Sequence, residues 1–122
     1  IGDKVLITAA GMLAKGLRDV DTLARWGGEE FMILLPETGV ETGLKAAKRL
    51  HSLVSGSQKW QTIAPDLSLT VSMGLVNLPW SKERISATKV LSALDRALYK
   101  AKNGGRNQVV RYVESLDSFE RI

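Results

Sequence analysis

Two short groups of residues carry types and spacings that could do chemistry. The first is the heptad Arg25-Trp26-Gly27-Gly28-Glu29-Glu30-Phe31, in which two glycines and two carboxylates lie between apolar runs. A Gly-Gly pair marks a tight β-hairpin turn, because Gly reaches positive φ without steric cost. It also leaves bare backbone N–H groups that a phosphate or a base can approach closely. Adjacent carboxylates at such a turn can hold a hard cation such as Mg²⁺ through oxygen ligands. The arrangement suits a nucleotide and its metal, although a solvated hairpin with a negative tip has the same composition. The second group is Arg18-Asp19-Val20-Asp21. A guanidinium can fork onto a phosphate. As plain chemistry this group is also a charged, solvated connection between elements.

The elements that must position these groups follow from periodicity. Val5, Leu6, Ala9, Met12, Leu13 and Leu17 recur at helical spacing and predict a first helix over residues 3–17, with Asp3 at its N-cap. Residues 22–26 and 31–35 predict the two arms of the hairpin. The second arm, Phe31-Met32-Ile33-Leu34-Leu35, is apolar on both faces, as a strand covered on both sides would be. A second helix is expected over residues 40–55, with Val40, Leu44, Ala47, Leu53 and Val54 inward. Lys45, Lys48, Arg49 and His51 lie on its solvated side. Residues 60–66 suggest a short strand or hairpin arm. Residues 67–76 alternate as a strand, and residues 77–84 are expected to form a loop in which Pro79-Trp80 covers an edge. A third helix spans residues 86–102, with a stripe of Val90, Leu91, Leu94, Ala97, Leu98 and Ala101. Asn103-Gly104-Gly105 is its C-cap, and Lys102 there compensates the helix dipole. Residues 108–113 predict the last strand. Residues 114–122 are polar and predict a tail or linker.

Composition bounds the rest. The chain has 122 residues, enough for one domain with a modest core. It has no cysteine, so there is no disulfide framework and no thiolate metal site, and the single histidine, His51, excludes a multi-histidine site. No apolar run approaches the roughly 20 residues that a membrane span needs. The net charge is +4 and the pI about 9.6, which suits phosphate ligands. The cations are scattered and aromatics make up only 6%, so a single-strand stacking platform is poorly supplied and no nucleic-acid polymer is expected as partner.

The heptad resembles the signature loop of the GGDEF family, the diguanylate cyclases, in its Gly-Gly-Glu-Glu-Phe form. Other motifs occur in the family's order. Gly2-Asp3 is similar to the tail of a glycine-Asp motif, Arg18-x-x-Asp21 to an inhibitory product site, and Thr70-Val71-Ser72-Met73-Gly74 to a core strand. Asp95-Arg96-Ala97-Leu98-Tyr99-Lys100-Ala101-Lys102-Asn103-Gly104-Gly105-Arg106-Asn107 resembles the closing motif, with Leu94 in place of the usual Ala. The resemblance covers about residues 1–112. It implies an α/β fold with a central, mainly antiparallel sheet flanked by helices, like the palm of nucleotide cyclases. It implies a diguanylate cyclase domain at 1–113 that is incomplete at its N-terminus, followed by the tail at 114–122. The family's opening strand, with the first metal-binding Asp, the Phe-Lys and the Asn-Asp pair, has no counterpart here, so half of the metal site is missing and the fragment alone is expected to be inactive.

The activity implied is condensation of two GTP into cyclic di-GMP with release of pyrophosphate, by a homodimer that uses Mg²⁺ or Mn²⁺ and is inhibited by its product. In that reading Glu29 and Glu30 are catalytic and metal-binding. Asp3, Gly27, Gly28, Lys102 and Arg106 hold the substrate, while Arg18, Asp21 and Arg49 form the inhibitory site. An upstream sensor domain and a cytoplasmic location, compatible with a membrane-anchored parent, are implied as well. The alternative is a module that binds GTP or cyclic di-GMP without turnover and regulates a partner domain.

Overall fold

The computed structural model describes residues 2–80 and 86–122. Helix α1 spans Gly2–Lys15 and strands β1 and β2 span Thr22–Gly27 and Glu30–Leu34. Helix α2 spans Val40–Val54 and strand β3 spans Met73–Val76. Helix α3 spans Ala87–Asn103, and strands β4 and β5 span Val109–Val113 and Ser118–Arg121. The fold is α/β, as expected. Among the described residues, two of the three strand ladders are antiparallel (β1 with β2, β4 with β5), and β3 with β4 is parallel. The strands fall into two sheets, β1-β2 and β3-β4-β5.

Helix α3 has a sequence cause for both of its ends. Ser86 caps α3 by accepting the Lys89 N–H at 3.2 Å. At the other end the Gly104 N–H reaches the Lys100 carbonyl and the Arg106 N–H the Ala101 carbonyl. The second of these is the 6→1 bond of a Schellman closure, and Gly105 supplies the positive φ beside it. Because β3 and β4 run parallel, the chain must cross over between them, and α3 is that crossover. The helix lies very close to the sheet. Its buried residues are Ala93, Ala97 and Ala101, and a Cβ on Gly74 of β3 would come within 2.6 Å of the Leu98 backbone nitrogen. The leucines expected in that stripe are only partly buried, since small side chains are what this separation admits.

The larger core lies between α1 and α2, from Met12, Leu13, Leu50, Val54 and Trp60. Several expectations change here. Residues 58–62 form a 3₁₀ helix capped by Ser57 rather than a strand arm. This turn buries Trp60 to 1% exposure and delivers its indole N–H to the Val54 carbonyl at 2.8 Å. The alternating segment 67–76 enters a ladder only at Met73. Leu67, Leu69 and Val71 still pack on the core, but the segment's backbone bonds go to Gly56 and Ser55 instead of a strand. On α2 the inward face is Gly43, Ala46, Ala47, Leu50 and Val54, while Val40 and Leu53 are exposed. Strand β2 is half-buried with Leu34 exposed, so it is not covered on both sides.

The expected tail at 114–122 is folded. A 3₁₀ turn at Glu114–Leu116 and a left-handed Asp117 reverse the chain, and β5 pairs back on β4. Phe119 is the inward residue of β5, packed beside Ala97, Ala101 and Val110. Arg96 and Lys100 of α3 sit over its ring at 5.0 and 5.2 Å. Trp80 lies 5.6 Å from the ring of Tyr112 on β4. The remainder of that expected loop, residues 81–84, lies outside the described residues.

Candidate nucleotide and metal site

The hairpin is built as the two glycines predict. Arg25 pairs with Phe31 and Gly27 with Glu30, so the register shifts at Trp26, which bulges outward. Gly28 has φ +51°, and Gly28-Glu29 form the turn. A Cβ at Gly27 or Gly28 would meet nothing within 4 Å, so open space surrounds both. The Arg25 guanidinium donates from Nε and Nη2 to the Gly28 carbonyl at 3.0 and 2.7 Å. Arg25 therefore fixes the turn that carries the carboxylates. The sequence reading did not single it out. Its signal was the i, i+3 spacing of a cation to a turn carbonyl.

Glu29 is exposed at the tip and Glu30 opens β2. From 72 residues away in sequence, Lys102 on the last turn of α3 places Nζ 3.2 Å from Glu30 Oε2. Both side chains remain partly open, at 38% for Lys102 and 43% for Glu30. A pair this exposed contributes at most about 1 kcal/mol. Its consequence is geometric, because it brings the closing motif to the carboxylate hairpin. Arg106 follows directly, exposed, with φ +61°, in the turn that ends α3. Asp3 lies inside the first turn of α1 rather than at an N-cap, because the helix already begins at Gly2. Among the described residues no hydrogen bond or ion pair joins it to the hairpin.

Arg18, Asp21 and Arg49 come together elsewhere. Arg18 donates through Nε and Nη2 to the Asp21 carboxylate, with Nη2 to Oδ1 at 2.8 Å. The Asp21 side chain is 2% exposed, shielded by these partners. The Arg18 hydrogen bond holds its carboxyl below the ordinary value, with the nearby Arg49 charge adding to the effect. Arg18 Nη2 also reaches the Pro36 carbonyl and Thr38 Oγ1, each at 2.9 Å. Arg49 Nη2 donates to the Gly16 carbonyl at 2.9 Å. Pro36 and Thr38 were not anticipated, since their contact with Arg18 spans 18 to 20 residues.

The donors fit a hard cation in kind. Among the described residues no group of three or more Asp, Glu or His side chains converges. The hairpin offers two carboxylates, and Mg²⁺ is commonly held by one or two carboxylates with water and substrate phosphates completing its shell. No helix of the described residues is long and apolar enough to cross a membrane.

Comparison with known proteins bears on the family and the fold. A family model described as "Diguanylate cyclase, GGDEF domain" matches residues 1–108. The diguanylate cyclase DgcP of Pseudomonas aeruginosa is 38% identical over 108 residues, which is 88% of this chain and 16% of the relative. The response regulator PleD of Caulobacter vibrioides is 37% identical over 113 residues, 90% of this chain and 24% of the relative. The chain thus spans less than a third of the length of the curated relatives it matches. Among solved structures, the diguanylate cyclase SiaD of Pseudomonas aeruginosa, in complex with its activator SiaC, superposes with a TM-score of 0.74. It is 29% identical, and the match covers 89% of this chain and 40% of that one.

Proposed function

The chain belongs to the GGDEF domain family of diguanylate cyclases, and from that premise we propose that it is the nucleotidyl-transfer domain that converts two GTP into cyclic di-GMP. The observation that carries the proposal is the 3.2 Å approach of Lys102 to Glu30. A phosphate-binding cation and a metal-binding carboxylate then share one edge of the open Gly27-Gly28 turn.

In each condensation a 3′-oxygen attacks the α-phosphorus of a second GTP, and pyrophosphate leaves. Two such bonds close the ring and release two pyrophosphates. Glu29 and Glu30 would hold Mg²⁺ or Mn²⁺, which when bound offsets phosphate charge and lowers the pKa of the attacking hydroxyl. Gly27 and Gly28 admit the triphosphate to bare backbone N–H groups. Lys102 and Arg106 contact its oxygens, and a Lys102 shared between Glu30 and phosphate keeps the two at fixed spacing. Asp3 accepts guanine N–H groups. One domain holds one GTP, so two domains meet around a two-fold axis to bring two reactants together. Arg18, Asp21 and Arg49 bind the product. Arg18 is oriented for this by Asp21, Pro36 and Thr38.

A second reading has one observation in its favour. The Arg18-Asp21-Arg49 network is assembled without any contribution from the carboxylate hairpin, so a module that binds cyclic di-GMP without turnover needs only that network. The deciding experiment is GTP turnover with Mg²⁺, products separated by chromatography, on the chain extended upstream through the strand that its family carries. Cyclic di-GMP that disappears with Glu29→Gln supports the cyclase. Unchanged GTP from folded, dimeric protein that binds cyclic di-GMP tightly selects the binding module.

A further inference from the structure

A second concentration of positive charge lies away from the hairpin. Helix α2 presents Lys48, His51 and Ser52, spaced i, i+3 and i+4 on one face, toward the start of β4 and the end of β5. Asn107, Gln108, Val109, Arg121 and Ile122 complete an open-mouthed pocket of about 240 Å³, so the main chain at Ile122 is part of its wall.

Strand alternation explains why Arg121 is there. On β5, Phe119 and Arg121 share the face that packs against the helices, while Ser118 and Glu120 share the other. Glu120 is accordingly turned to Arg111 and is removed from the pocket. No acidic side chain lines the pocket, and neither Lys48 nor Arg121 has an ion-pair partner among the described residues. Two cations on different elements therefore line one recess, which suits an anionic ligand.

The polar groups around them include donors as well as acceptors. His51 Nε2 is engaged with Ser55 Oγ at 3.2 Å, which leaves Nδ1 for another partner. Gln108 is 6% exposed, and its Nε2 is committed to the Ala101 carbonyl at 2.9 Å, so this wall is rigid. Ser52 and the Asn107 amide add neutral donors. The volume is below the roughly 300 Å³ at which drug-sized pockets begin, which suits a small ligand.

We propose that this pocket is a site for a small inorganic phosphate anion, free phosphate or diphosphate, held by Lys48 and Arg121 with Ser52 and Asn107. An Arg-phosphate fork and a Lys point charge are the usual partners of such a ligand. The site uses none of the residues assigned to the nucleotide or to the product, so it stands whether or not the cyclase reading holds.

The test is a titration of the isotope-labelled chain with inorganic phosphate and, separately, with diphosphate, at constant ionic strength set with chloride. It is run on the chain as it is and with the carboxyl terminus amidated, so that no main-chain carboxylate competes. Saturable amide shifts at residues 48–52 and 107–109, weakened about tenfold or more by the K48A/R121A double variant, are expected. Tighter binding of diphosphate identifies the leaving group of nucleotidyl transfer as the ligand, and equal or tighter binding of phosphate identifies the free ion. If the double variant does not fold, Lys48→Gln alone, at an exposed helix position, should weaken binding roughly threefold. Shifts that never saturate, that chloride reproduces, that the variants leave unchanged, or that are confined to Lys102 and Arg106 would overturn the proposal.

Discussion

A methyl group added at Gly74 would sit 2.6 Å from the Leu98 nitrogen and 2.9 Å from the Leu94 carbonyl, whereas one added at Gly27 or Gly28 would meet nothing within 4 Å. The α3–β3 layer uses glycine because two backbones touch there. The hairpin uses glycine where there is nothing to touch, and at Gly28 because the turn needs φ +51°. The contrast separates residues that hold the fold from residues that leave room for something else. The same division appears among the side chains. Trp60 is buried and hydrogen-bonded, while Trp26 at the hairpin bulge is exposed.

If that division is right, stability and ligand affinity should respond to different substitutions. Trp60→Ala should destabilise most, by about 3–5 kcal/mol in denaturant unfolding, from the cavity and the lost bond to Val54. Gly74→Ala comes next, at about 1–3 kcal/mol, because the new methyl meets backbone that cannot rotate away. A Gly74→Ala protein as stable as the parent would dissolve the contrast. Gly28→Ala should cost about 1–2 kcal/mol through its positive φ alone, with no steric part. Gly27→Ala should stay within about 0.5 kcal/mol of the parent in melting experiments. It should nonetheless weaken GTP binding measured by calorimetry, which would show that the space there serves a ligand. Lys102→Ala should change stability least for its effect on binding. The exposed pair with Glu30 is worth below about 1 kcal/mol, yet losing one phosphate contact should lower GTP affinity about tenfold.

Much of the scaffold was legible because its signals are local. The 3.6-residue spacing of Val5, Leu6, Ala9, Met12 and Leu13 marks α1, and Gly27-Gly28 between two apolar runs marks the hairpin. Gly104-Gly105 after Lys102 marks the end of α3. What the residues hid was mostly long-range. Nothing near Lys102 announces Glu30, and nothing near Arg18 announces Thr38. The 67–76 alternation was real, but a strand also needs a partner, and its first half bonds to Ser55 and Gly56 instead. Residues 114–122 read as polar because β5 buries a single large residue, Phe119. The remaining cue was Asp117, a residue type that tolerates the left-handed turn it makes at φ +44°. The stripe of α3 was read by hydrophobicity, so Ala93 was passed over in favour of the leucines. Close packing on a glycine strand selects for smallness instead.

The central claim is that the Gly-Gly-Glu-Glu hairpin and the end of α3 form one phosphate and metal site. Its most direct test is GTP binding by the labelled chain with and without Mg²⁺, read at the amides of residues 27–30 and 102–106. The account predicts shifts in both segments together, strengthened by Mg²⁺, with that Mg²⁺ dependence lost in the Glu29→Gln/Glu30→Gln double variant. Binding that moves only one segment, or that is indifferent to Mg²⁺ and to both carboxylates, would contradict it.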